Sequence, residues 1–80
     1  ISCADDEKAA KEKQLADKLC RDLCCSKTME YELRQYIRYC FIENIDINGV
    51  VCKMYEENMM PCNDKREGKK RFEQLKSRLL

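Results

Sequence analysis

The sequence predicts an all-α protein, a small bundle of about four helices stapled by disulfides, and three observations carry that reading. Loop-forming material is scarce, with two glycines and one proline in 80 residues, while charged and aliphatic residues dominate as they do in helices. Apolar residues recur at intervals of three and four along most of the chain. Seven cysteines, at positions 3, 20, 24, 25, 40, 52 and 62, exceed what a cytosolic domain of this length carries and point to an oxidising compartment.

The elements follow in order. Ser2 to Asp5 has the spacing of a capping box, and a first helix is expected from about residue 4 to 24. Leu15, Leu19 and Leu23, with Ala16 and Cys20 beside them, form its apolar stripe; the half from Asp5 to Gln14 has only alanines to bury and should project into water. Ser26 to Thr28 offers N-cap chemistry to a second helix, on which Met29, Leu33, Tyr36, Ile37, Cys40 and Phe41 share one face. Asn44 to Gly49 makes the next turn, with Asp46 or Asn48 as cap, and Val50, Val51, Met54 and Tyr55 mark a third helix that Pro61 is expected to end. The only strand signal is the short stretch from Ile45 to Val51. Asp64 and Glu67 resemble a capping box opening a fourth helix, whose narrow seam is Phe72, Leu75 and Leu79. Gly68 in its first turns costs ~1 kcal/mol relative to alanine, which argues against independent stability for this helix.

A chain this short is read as one domain that buries only ~60% of its unfolded surface, so an aliphatic core needs help from covalent staples. Six cysteines can close three bridges worth ~2–4 kcal/mol each. The seventh stays free, takes a cap or joins a second chain. Cys20 and Cys24 lie one helical turn apart and Cys25 points about 100° around the axis from its neighbour, so the three face divergent directions and should clip different elements, with Cys40, Cys52, and Cys62 or Cys3 as targets. About a hundred pairings remain open. Cys3, beside the chain end, is the candidate for an intermolecular bond, which would make a disulfide-linked homodimer.

Charge narrows the function classes. Sixteen basic residues face fifteen acidic ones, so no global field recruits nucleic acid, and the net acidity of residues 1 to 63 disfavours it further. No stretch approaches the ~18 apolar residues of a membrane span, and no signal-peptide core is visible; a chain that starts at Ile1 reads as a processed, secreted, extracellular form. Metal binding is disfavoured because histidine is absent and only Cys20, Cys24 and Cys25 have ligand-like spacing. The nine-residue interval from Cys52 to Cys62 occurs in helical hairpins of the mitochondrial intermembrane space, but no second copy pairs with it. No cofactor is implied.

Catalysis is not expected. Without histidine there is no common general base and no triad built around one. Glu56 and Glu57 with Asp46 or Asp64 read as a solvated face rather than an acid pair. Cys24 and Cys25 are adjacent, whereas redox dithiols are spaced by two residues.

Two surfaces are candidates for binding. Opposite the core face of the second helix lie Tyr31, Gln35, Arg38, Tyr39 and Ile42, richer in aromatic, arginine and aliphatic character than a solvated face; the alternative is that this central helix is buried on both sides. The second surface is the basic last helix, where Lys69, Lys70, Arg71, Lys76 and Arg78 flank the apolar seam. Such a segment suits an acidic receptor groove or an anionic membrane surface, although charge on a helix often serves solubility alone. Because no cysteine follows Cys62, this helix is expected to move while the stapled body stays rigid.

From Leu23 to Cys52 the chain resembles an anaphylatoxin domain, the disulfide-linked helical fragment of complement-type proteins. The shared points are the Cys24-Cys25 pair at the end of a charged helix, Cys40 fifteen residues on, and Asn48-Gly49-Val50-Val51-Cys52, which resembles the family's Gly-x-x-Cys. Cys62 stands alone where that family has a second adjacent pair, Cys3 and Cys20 are additional, and the terminal arginine needed for receptor activation in that family is missing. Helical arthropod neuropeptides and the venom toxins similar to them match equally loosely. The resemblance implies an extracellular helical ligand.

The expectation is therefore a secreted, non-enzymatic ligand or venom-type toxin acting on a membrane receptor or ion channel. A carrier of small apolar molecules is the rival from another class, against which 80 residues leave little room for a cavity of roughly 300 Å³ beside a core. An inhibitor of host proteases or of complement is a further alternative.

Overall fold

Four helices, α1 (Cys3–Asp22), α2 (Lys27–Ile42), α3 (Ile47–Glu56) and α4 (Lys65–Leu79), make up the chain, and the described residues contain no strand. The structure, a computed structural model, describes the backbone of residues 3 to 80 and the side chains from residue 6 onward. The expected Ser2–Asp5 capping box and the Cys3 thiol lie outside what is described.

The three inner helix ends are built alike, and the sequence marks each only faintly. At the end of α1, Cys24 takes φ 51°, the Cys25 amide donates to the Cys20 carbonyl and the Cys24 amide to that of Arg21. This is a Schellman motif, in which a left-handed residue folds the chain back so that the last carbonyls are satisfied. Asn44 (φ 57°) repeats it after α2, with Ile45 bonding Cys40 and Asn44 bonding Phe41. Asn58 (φ 62°) repeats it after α3, with Met59 bonding Met54 and Asn58 bonding Tyr55. Two expected boundaries are corrected accordingly. α1 stops at Asp22 rather than running to residue 24, and α3 stops at Glu56, well before Pro61, because Asn58 has already turned the backbone.

Helix starts are closer to expectation. Ser26 accepts from the Met29 amide at 3.2 Å, Asp46 from Gly49 at 3.0 Å and Asp64 from Glu67 at 2.7 Å, each satisfying an otherwise free first-turn donor. The Ile45 to Val51 segment is thus the turn and first turn of α3, not a strand.

One hydrophobic cluster unites the helices. Leu15, Ala16, Leu19 and Leu23 of α1 and its turn meet Met29, Leu33, Ile37 and Cys40 of α2, Ile47, Val51 and Met54 of α3, Met60 and Cys62 of the linker, and Phe72 and Leu75 of α4. α1 and α2 pack as an antiparallel pair clamped by Arg34, which donates to Asp17 at 2.7 Å and to Glu30 at 3.2 Å. Residues 6 to 11 of α1 are exposed, as the alanine-only pattern predicts.

The fourth helix is not a loose arm. Phe72 and Leu75 are fully buried, and the linker before α4 is held by the Cys62 amide, which donates to the Asp22 carbonyl at 2.6 Å. Gly68 explains the approach. It is buried against the end of α1, where a Cβ would lie 1.6 Å from the Leu23 carbonyl oxygen. The glycine that looked like a weakness in a free-standing helix is what lets α4 dock, so the expectation of a mobile basic tail is corrected.

Candidate functional surface

α2 and α4 flank two grooves in the same order along each helix, and this juxtaposition builds the surface. Ser26, Thr28 and Met29 at the start of α2 line a groove with Lys65, Lys69 and Phe72 of α4; further along, Tyr31, Gln35, Tyr36 and Tyr39 line a second groove with Phe72 and Lys76. The second groove is open, about 360 Å³ in volume, and mainly apolar. Tyr36 forms its floor, packed edge-on to Phe72 at 6.5 Å between ring centroids and 6.1 Å from the Tyr39 ring. Burial, with smaller contributions from Cys40 and Tyr39, raises the Tyr36 phenol above its ordinary range, so it presents a neutral face.

The outer side of α2 is exposed, which rules out burial on both sides. Tyr31 is 68% accessible, Ile42 66% and Tyr39 51%. Three large side chains of this kind on one helix are the most conspicuous exposed apolar material among the described residues. Arg38 is separated from the two tyrosines, on the side of α2 that also carries Ile42. It lines a different groove, of about 490 Å³, between α2 and the projecting half of α1, with Glu12, Lys13 and Arg34.

The basic residues of α4 disperse rather than form one patch. Lys69 and Lys70 are exposed. Arg71 turns inward, its Nη1 donating to Gln74 at 2.9 Å while its Nε is buried without a partner, because Gly68, Phe72 and Leu75 face the core and carry the neighbouring position with them. Lys76 is half-buried, 2.9 Å from Glu73 and 4.5 Å above the Phe72 ring. Arg78 is engaged by both oxygens of Glu57, at 2.7 and 2.8 Å. Hydrogen bonding to that guanidinium holds the Glu57 carboxyl below its ordinary value, as Arg34 does for Asp17. The surface is therefore Tyr31, Tyr39 and the Phe72–Lys76 edge, with Lys69 beside it. Reading the α4 charges as a unit missed this, and nothing in the sequence marks Phe72 as a partner of Tyr36, since their contact exists only after α4 has docked.

The cysteines divide into two settings. Cys20, Cys24, Cys25 and Cys62 converge at the end of α1, whereas Cys40 is buried in the core and Cys52 is exposed on α3. The Cys24 thiol donates to the Cys62 carbonyl at 3.2 Å, and the Cys20 and Cys25 thiols are hydrogen-bonding neighbours. Divergence of Cys20 from Cys25 is thus corrected: the left-handed turn at Cys24 folds Cys25 back onto the preceding helix. Burial, reinforced by the Cys20 thiol beside it, pushes the Cys25 thiol up to about 12, and burial also raises Cys20, Cys40 and Cys62. Such thiols are weak nucleophiles. Among the described residues no cluster of cysteine and carboxylate side chains is arranged to hold a metal ion, and no helix is long and apolar enough to cross a membrane.

No family model, no characterised protein and no solved structure matches the chain, so the surface has to be read from its own residues.

Proposed function

We propose that the chain is a secreted, disulfide-stapled, non-enzymatic ligand or toxin that binds a membrane receptor or ion channel through the α2–α4 face. The observation that carries this reading is the exposure of Tyr31 and Tyr39 beside the aromatic groove closed by Phe72 and Lys76. Tyrosines of this kind combine large apolar area, few rotatable bonds and a hydroxyl that can hydrogen-bond, which is why they concentrate the energy of protein contacts. A docked α4 strengthens the case, because a preformed surface loses little conformational entropy on binding. The distant resemblance to anaphylatoxin-type helical ligands agrees with this reading. The grooves are open to solvent, and the one of about 490 Å³ has Glu12, Lys13, Arg34 and Arg38 in its lining, which does not favour a carrier of small apolar molecules.

Fluorescently labelled native protein, added to intact excitable cells, should bind saturably and be displaced by unlabelled protein. Tyr31→Ala with Tyr39→Ala should reduce affinity by 100-fold or more, the scale expected when two aromatic anchors of ~1.5–2 kcal/mol are lost. Lys70→Gln should leave it unchanged. Absence of saturable binding, or full binding by the double tyrosine variant, refutes the proposal.

A further inference from the structure

The end of α1 gathers four of the seven cysteines, and its geometry selects among the pairings that spacing leaves open. We propose that Cys20 bonds Cys25 and Cys24 bonds Cys62, the two bridges together locking the α1 turn to the linker that precedes α4. The inference rests on the reading that the chain matures in an oxidising compartment.

Three observations carry it. First, Cys20 and Cys25 occupy the two positions of a Schellman motif whose side chains meet, joined by the amide-to-carbonyl bond of 3.2 Å between them. Second, Cys62 is held at the same helix end from two sides: its amide donates to Asp22 at 2.6 Å, and its carbonyl accepts from the Cys24 thiol at 3.2 Å. Cys24 and Cys62 therefore need only side-chain rotation and a small adjustment to bond. Third, the helix geometry removes the main competitor. Cys40 lies near the far end of α2, whose antiparallel course sets it beside the projecting half of α1. Nine or so residues of helix rise separate that level from Cys20, roughly 14 Å, against a Cα separation of no more than about 7 Å in a disulfide. Bonding of Cys24 to its neighbour Cys25 is disfavoured because their thiols face opposite partners.

Each bridge forms by exchange with an oxidised carrier disulfide, either glutathione disulfide or an oxidoreductase. One cysteine thiolate attacks the carrier disulfide to give a mixed disulfide and release one carrier thiol. The second cysteine thiolate then displaces the other carrier thiol. In total two electrons and two protons pass from the cysteine pair to the carrier, which leaves fully reduced.

The test uses the full chain, reduced and denatured, then refolded in mixed reduced and oxidised glutathione and blocked with N-ethylmaleimide under denaturing, non-reducing conditions. Tryptic digestion should yield one disulfide-linked species containing residues 19–21, 22–27 and 54–65. Because trypsin does not cut between Cys24 and Cys25, partial reduction with stepwise alkylation of this species assigns the pairs. Single variants give a second reading. Cys25→Ser should raise maleimide labelling of Cys20 from near zero to near stoichiometric while Cys24 stays bridged, and Cys62→Ser should do the same for Cys24 while Cys20 and Cys25 stay bridged. A link from Cys20, Cys24 or Cys25 to Cys40 or Cys52, or labelling of Cys25 in the Cys62→Ser protein, overturns the pairing. Thiol blocking at the moment of isolation from the natural source tests the compartment separately. Reduced protein there, with the stated pairs forming in glutathione, refutes secretion alone, whereas wrong pairs in glutathione refute the pairing alone.

Discussion

Replacing Gly68 by alanine separates two physical accounts of α4, because they predict opposite signs. In a free-standing helix the change is favourable by ~1 kcal/mol, since alanine loses less backbone entropy. In the docked helix the new Cβ would lie 1.6 Å from the Leu23 carbonyl oxygen, where ordinary contact begins at 3.4 Å, so α4 or the α1 turn must retreat by about 1.8 Å. The obstacle is backbone and cannot rotate away. Phe72 and Leu75 lie one and two turns further along the same face and are fully buried. If each forfeits about half of the ~1.5–3 kcal/mol its burial supplies, the cost is ~1.5–3 kcal/mol. Subtracting the propensity gain leaves a net destabilisation of ~0.5–2 kcal/mol, or roughly 2–16 °C in Tm for a domain of this size. Urea and thermal unfolding of the Gly68→Ala protein, followed by circular dichroism, measure it. Ser77→Ala, on the exposed side of α4, is the control and should be neutral or slightly stabilising. A Gly68→Ala protein as stable as the parent, or more so, would refute the close-approach argument and restore a loosely attached helix.

Two further outcomes follow from the polar contacts between helices. Glu57 is held below its ordinary value of 4.5 by the Arg78 guanidinium, so its pairing stabilises the fold in full above that value and is lost as pH falls through the lower folded value; Glu57→Gln should flatten the acid limb of the stability curve and leave the alkaline limb unchanged, as pH-dependent urea unfolding would show. Tyr55 donates to Asp22, and burial followed by that bond raises its phenol above the ordinary 10.0, so its contribution is complete below pH 10 and fades as pH rises through the folded value. Tyr55→Phe should cost about 1 kcal/mol at neutral pH and remove a late component from the alkaline absorbance titration; an unchanged titration would count against the contact.

Local chemistry was legible from the residues themselves. Ser26 and Asp64 announce their helices, and Asp46 was one of two candidates for its own, because a short oxygen-bearing side chain can reach an amide three residues on, a relation contained within one turn. The apolar stripes of α1 and α2 were equally clear, and the outward face with Tyr31, Tyr39 and Ile42 followed from them by rotation alone. What escaped depends on where one element meets another. Gly68 reads as a defect until the Leu23 carbonyl is known to lie against it. Arg71 reads as a surface cation until Phe72 has fixed the rotation of α4. The α1 boundary failed for a subtler reason: a cysteine carries no sign that its backbone will turn left-handed, whereas Asn44 and Asn58 at the matching places belong to a residue type that tolerates that region.

The left-handed backbone at Cys24 also bears on what this position could become. Asparagine serves the same role at two other helix ends and glycine would relieve the steric cost altogether, so judged by backbone geometry alone cysteine is a poor occupant. Position 24 is where the demands of the turn and those of sulfur chemistry oppose each other. A Cys24→Gly protein and the parent, both fully reduced, have no covalent tie between them to differ in, and the difference in their stabilities reports the strain of the turn. Relatives of this chain that dispense with the sulfur should therefore drift towards glycine or asparagine here, rather than towards serine, the substitute closest to cysteine in size.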